Sequence, residues 1–338
     1  MTRSRMPGLI AAAVLLAAGP ALAAEDAVPR AAKKEGKVTW YTAVSLPVAQ
    51  EVCQKFMKKH PGIECIVHRD GSGKLYQRYL QEAKGNIYVA DVYHTSNYGH
   101  FLAMKDKHFL AYKPKGTEKF NRSFVIDHGQ WTILRAAVLV PFYNSAKVSA
   151  AEAPKSWKDL TDPKWKNRMV HSHPAYSGFV TNGMLLNIKH HGEDYYKKLA
   201  ANKPKVVQSA LASIPLVARG EADVGAGTVS YGLFEAIKKG EPLKVVIPAE
   251  GVPLVSSPNS ILKKAPHPNA SKVFTDYMFS LEGQQIFANR FLYVGHPGVK
   301  YPKGLPSLDE LKLEVISPEV LKKENKNMQQ LFRKLFGV

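Results

Sequence analysis

A chain of 338 residues, 45% of them hydrophobic, is large for one core and comfortable for two. Its formal charge of +19 suits an anionic ligand, an acidic membrane surface or nucleic acid. The lysines, however, come in short pairs such as Lys33-Lys34, Lys197-Lys198 and Lys322-Lys323, with no basic block and no nucleic-acid motif, so most of this charge reads as solvated surface and no nucleic-acid partner is expected.

Arg3 and Arg5 precede an apolar run from Leu9 to Ala18, and Ala21-Leu22-Ala23 places small residues where a signal peptidase cuts. Residues 1–23 therefore read as an export signal. No later stretch approaches the roughly 18 uninterrupted apolar residues that a membrane span needs, so the mature chain is expected to be released into the periplasm. ATP and nicotinamide cofactors are not supplied there, which disfavours kinases and dehydrogenases, and no cofactor is expected. Export also places Cys53 and Cys65 in an oxidising compartment, where a disulfide closing a small loop is expected; the alternative is two buried thiols. Two cysteines without clustered histidines argue against a zinc site.

Lys37 to Tyr41 is β-prone, and Pro47 to Lys59 carries Val48, Val52, Phe56 and Met57 at helical spacing. Pro61-Gly62 ends that helix. Ile63 to His68 reads as a second strand, Gly71-Ser72-Gly73 as a turn, Leu75 to Glu82 as a helix and Ile87 to Tyr93 as a third strand. This alternation predicts a parallel sheet with helices on both faces. Its ligands bind at the carboxyl ends of the strands, here Thr42 to Ser45, Gly71 to Lys74 and His94 to Asn97.

The pattern restarts with the apolar run Ala136 to Tyr143. A short helix begins near Ser156, and Met169 to His171 forms a strand that leads through Tyr176-Ser177-Gly178 into a long helix. Ser177 then either caps that helix in the ordinary way or joins its N-H groups in an anion site. Lys205 to Ser209 is read as a strand and cap, Ala210 to Gly220 as a helix, Ala222 to Gly227 as a strand and Tyr231 to Lys239 as a helix. The Ser177 segment has no glycine two residues before the serine and no paired acid beside it, so no catalytic residue is assigned.

Taken together, Glu35-Gly36-Lys37-Val38-Thr39-Trp40-Tyr41-Thr42, Gly71-Ser72-Gly73, Ser177-Gly178, Arg219-Gly220-Glu221-Ala222-Asp223-Val224-Gly225, Ala265-Pro266-His267-Pro268-Asn269-Ala270 and Ser280-Leu281-Glu282-Gly283-Gln284-Gln285 resemble the periplasmic solute-binding proteins of ABC importers. The branch of closest resemblance contains ferric-ion binders. On its own, the phrase around Pro268 reads as a helix start with Asn269 as cap. The resemblance implies an α/β fold of the type II periplasmic-binding-protein kind, two lobes with a mixed sheet flanked by helices in each and a hinge between. Residues 36–128 plus 250–290 would form lobe one, and 129–249 plus 291–338 lobe two. It also implies a monomer that delivers a small-molecule solute to an ABC permease in the inner membrane.

Ferric binders of this branch often place two adjacent tyrosines after the strand that follows the Gly-Glu phrase. Here only Tyr231 stands there, the first loop has no histidine, and the pair Tyr195-Tyr196 lies in a helical phrase that reads as core. An iron site would have to draw on Tyr231, Tyr93, His94 and a synergistic anion. The turns instead collect hydroxyls and amide donors almost without carboxylates: Thr42, Ser45, Ser72, Thr95, Ser96, Ser177, Gly178, Ser209, Thr228, Ser230 and Tyr231. This set favours a small organic or phosphorus-containing anion, with Lys74 or Arg135 to neutralise it.

Overall fold

The computed structural model describes residues 27–121, 124 and 129–338, so the expected export signal lies outside the described residues. The first part of the chain forms α1 (Ala27–Glu35), β1 (Lys37–Thr42), α2 (Leu46–Lys59), β2 (Glu64–Arg69), α3 (Ser72–Lys84), β3 (Val92–His94) and α4 (Tyr98–Met104). β1 pairs in parallel with β2 on one side and β3 on the other. β3 is much shorter than the 87–93 expected. Ile87 and Val89, which suggested a buried strand, are exposed side chains in the connection from α3, where no neighbouring strand covers them.

The second part contains β4 (Thr132–Asn144), β5 (Met169–Ser172), α5 (Gly178–His191), α6 (Asp194–Ala201), β6 (Lys205–Val207), α7 (Ser213–Ala218), β7 (Val224–Val229), α8 (Ser230–Lys238) and β8 (Leu243–Val245). The helix expected over 210–220 divides into a 3-10 turn, Ala210–Ala212, and α7. Pro215 has no N-H to offer the carbonyl of Leu211, and Ser209 caps the preceding turn by accepting from Leu211 N. The chain closes with β9 (Val252–Ile261), α9 (Pro268–Phe279), α10 (Leu281–Asn289), β10 (Leu313–Glu314) and α11 (Pro318–Phe336). Asn269 is not the cap of α9. His267 holds that position, and the Glu35 carboxylate accepts from Asn269 N at 2.9 Å, Asn269 Nδ2 at 2.6 Å and Ala270 N at 2.7 Å. A distant anion thus satisfies the helix's free N-H groups.

The strands run in one hydrogen-bonded order, β2-β1-β3-β9-β4-β7-β5-β6, in which the mixed sheet expected in each half is present and the two are continuous. β4 is the reason. Its first part, Thr132 to Val138, pairs with β9, and the part from Leu139 onward pairs with β7 and β8. The fold is therefore a mixed α/β structure with a single curled sheet that serves both halves. On one face of the first half, Trp40, Phe56 and Phe274 pack edge to face under α2 and α9. On the other, Tyr41, Tyr79, Tyr93, Phe101, Phe109 and Trp131 form a second aromatic core under α3 and α4.

The halves also meet directly. A Cβ on Gly71 would stand 2.6 Å from the carbonyl oxygen of Tyr176, and one on Gly73 would overlap that of Ala175. Only glycine allows this backbone approach. On another edge, Arg290 beyond α10 reaches Glu51 of α2 at 2.6 Å and Glu235 of α8 at 3.2 Å.

Cys53 and Cys65 are disulfide-bonded with their Cα atoms 5.3 Å apart, tying α2 to β2. Replacing both by alanine is expected to cost on the order of 3 kcal/mol in chemical denaturation, since so short a loop loses that much closure entropy in the unfolded chain; unchanged stability would show that the bridge is dispensable. Gly73→Ala is expected to hold the halves apart, which small-angle scattering reads as a larger radius of gyration without loss of helix by circular dichroism. An unaltered radius would mean that the contact yields to a methyl group.

Candidate ligand-binding site

The cross-strand registers Thr42 to His94, His94 to Asn259 and Arg135 to Ser257 place five polar side chains on one face of the sheet where β1, β3, β9 and β4 run side by side. All are buried. The Thr42 hydroxyl meets His94 Nδ1 at 2.7 Å and accepts from Val44 N at 3.2 Å. His94 Nε2, Ser257 Oγ, the Asn259 amide, and Nε and Nη1 of Arg135 make no hydrogen bond within the protein. Burial, with Arg135 as a further cause, holds His94 well below the usual imidazole range and therefore neutral. Burial also lowers Arg135 to about 10, which still leaves it a cation at neutral pH.

Tyr231 stands over that guanidinium, its ring 5.6 Å away, and belongs to the wall of a chamber between the halves. Burial raises its pKa, although Arg135, Arg69 and the Ser45 amide N-H pull the other way, so the group is a neutral phenol. Arg69, Ser72, Ser96, Ser177 and Ser209 complete the polar wall of this chamber, which encloses only about 20 Å³ and has no carboxylate in its lining. Ser72 Oγ lies 3.1 Å from Ser96 Oγ and accepts from Ser96 N at 3.3 Å. Ser177 holds the N-cap position of α5 but makes no capping bond, which separates it from an ordinary cap. Gly178 packs so tightly on the Ser96 carbonyl that a Cβ would overlap it. Ser45 heads α2 with its hydroxyl buried and unpaired.

Three expected residues serve the framework instead. Thr228 donates to the Ala210 carbonyl at 2.7 Å, Ser230 accepts from Val138 N at 3.3 Å, and Thr95 lies beside the Tyr93 phenol on the opposite face. The iron set of Tyr231, Tyr93 and His94 is not assembled. Tyr93 and His94 are consecutive on a strand, so they point to opposite faces, and Tyr93 sits in the aromatic core. Among the described residues no group of three or more His, Cys, Asp or Glu is placed to hold a metal ion. Lys74 is half-exposed and turned to Gln208 at 3.3 Å, away from the floor. The sequence reading missed Arg69, which ends β2 opposite Thr42 and so lies where ligands of parallel sheets bind. It also missed Ser257 and Asn259, whose signal is a run of polar residues within a largely buried strand.

Residues 88–321 match the family described as bacterial extracellular solute-binding protein. A Fe(3+)-binding periplasmic protein of Serratia marcescens is 26% identical over 267 residues, covering 74% of this chain and 77% of that protein. The fold is similar to that of the periplasmic binding protein AfuA from Actinobacillus pleuropneumoniae with exogenous fructose-6-phosphate bound, with a TM-score of 0.81 and 23% identity over 90% of this chain and 99% of the other. Iron-bound HitA from Pseudomonas aeruginosa follows with 0.75 and 23% over 88% and 99%. No helix among the described residues is long and apolar enough to cross a membrane. A small chamber walled by serines, Arg69 and Tyr231 between two touching halves is an arrangement suited to enclosing a solute, and the chain belongs to the bacterial extracellular solute-binding proteins.

Proposed function

We propose that this protein captures a compact anion, organic or phosphorus-containing, between its lobes and delivers it as a monomer to an ABC permease in the inner membrane. One observation carries the reading: Arg135 is a fully buried cation with Nε and Nη1 unpaired, beside Arg69 and Tyr231, where no carboxylate lines the chamber. An isolated buried charge is costly unless something pairs with it, and a guanidinium fork matches a carboxylate or phosphate in two parallel hydrogen bonds. Arg69 at the end of β2 adds a second positive charge, and the serines at the surrounding turns add neutral donors. The fructose-6-phosphate bound to AfuA is a ligand of this chemistry.

Ferric iron is the second reading, favoured by the Serratia marcescens relative. Here it would lose Tyr93 to the opposite face of the sheet, and the two guanidiniums that act on the Tyr231 phenol repel Fe(III) unless an anion lies between them.

Calorimetry with fructose 6-phosphate, inorganic phosphate and ferric citrate separates the two. The anion reading expects a phosphate-bearing compound to bind without metal; purification with stoichiometric iron and a phenolate charge-transfer band lost in Tyr231→Phe would replace it with the iron reading. Arg135→Met is expected to weaken the anion roughly ten- to a hundredfold, the value of hydrogen bonds to a charged group. The same substitution is expected to raise the melting temperature of solute-free protein, because it removes an unpaired buried charge. Ser177→Ala is expected to lose about 1 to 2 kcal/mol of binding, or roughly five- to thirtyfold, and undiminished binding would remove Ser177 from the site.

A further inference from the structure

A groove of about 800 Å³ lies on the other side of the contact that Gly73 makes with Ala175, where Tyr176 forms part of both walls. α11 contributes Lys322, Lys326 and Arg333, spaced so that they share one helix face, and all three are exposed. α3 contributes Lys74 and Arg78 from the facing wall. No carboxylate lines the groove. Asp70 and Glu82 partly neutralise Lys74 and Arg78 from behind, at 4.0 Å and 2.7 Å, but among the described residues no ion pair joins Lys322, Lys326 or Arg333 to an acid.

One further group lines this groove. His100 of α4 is 7% exposed, stacks on Tyr76 at 4.1 Å between ring centroids, and has its Nδ1 buried without a hydrogen-bond partner. Burial lowers its pKa to about 3, so the ring is neutral and offers an N-H or a lone pair according to its tautomer.

We propose that this groove is a second anion site, distinct from the chamber over Arg135, that takes a compact polyanion such as a diphosphate. Like charges one turn apart on α11 repel each other, and they face further cations on α3 across the groove. A polyanion seated there exchanges repulsion for charge-assisted hydrogen bonds. A single monovalent anion would leave most of the five cations unmatched. Because α3 and α11 wall the groove from opposite sides, an occupant also ties the two helices together.

The test uses inorganic pyrophosphate and the Arg135→Met protein, in which the chamber is disabled, so that failure of this site and failure of the chamber reading are distinguishable. Calorimetric titration is expected to show one-to-one binding that weakens steeply with added salt. Adding Lys322→Ala and Lys326→Ala is expected to weaken it about tenfold or more, whereas Lys322→Arg with Lys326→Arg retains it. Both positions are exposed, and an unchanged circular-dichroism melt confirms that the fold is intact. Absence of binding to Arg135→Met protein, or binding indifferent to the two alanines, overturns the proposal. Sedimentation with phosphatidylglycerol vesicles that pyrophosphate does not compete away also overturns it, in favour of a membrane surface.

Discussion

The guanidinium of Arg135 is the constraint on which the buried polar face of the sheet depends. A cation in the middle of a sheet loses its hydration, and the protein supplies only part of a replacement. Tyr231 offers the face of its ring, and Ser257 and His94 lie nearby with unpaired polar atoms. His94 must stay neutral there, since its protonation would set a second positive charge beside the first, and burial with Arg135 enforces this. The placement of Arg135 depends on a register shift in the pairing of β4 with β9 between Ile133 and Arg135. Such irregularities re-aim a side chain relative to its neighbours. A stability cost is thus held at one point of the fold, which an anion of the proposed kind would relieve.

Contacts between the halves gather around the same region. Ser45 precedes α2 and its amide N-H meets the phenol of Tyr231, which lies in the first turn of α8 and lines the chamber, so the starts of both helices adjoin. Farther along the same helices stand Glu51 and Glu235, which share Arg290. Any motion that parts Ser45 from Tyr231 also works against this three-residue bridge. Arg290 is about one-third exposed, so water moderates the strength of the bridge, and its importance is geometric. The Gly71 and Gly73 contacts act from the other side by admitting the backbone at 175–176 to van der Waals distance. The approach of the halves is therefore limited by backbone against backbone.

Much of this was legible in the sequence because parallel α/β folds place their sites at strand ends. Ser72, Ser96, Ser177, Ser209 and Tyr231 all lie at such turns, and all line the chamber. Hydroxyls of the same kind at Thr228 and Ser230 bind backbone groups instead, and composition alone does not separate the two fates. Tyr93 was misplaced for a different reason. An iron site would have to draw on it together with His94 and Tyr231, although strand geometry sends Tyr93 and His94 to opposite faces, and the aromatic core holds Tyr93.

The least legible part of the site was the floor, because it is made by non-local pairing. Ser257 and Asn259 become neighbours of Arg135 and His94 only through the return of β9 between β3 and β4, more than 100 residues along the chain from either. Nothing in their immediate sequence fixes that partnership. What their sequence does contain is a polar run, Ser256, Ser257, Asn259 and Ser260, of which Ser257 and Asn259, at alternate positions, are buried on the face that carries Arg135 and His94. Burying such groups without partners costs free energy, so a strand that retains them is under a demand other than packing. The unpaired guanidinium beside Ser257 is such a demand, and it links a local anomaly in β9 to a buried charge that lies behind the Tyr231 wall of the chamber.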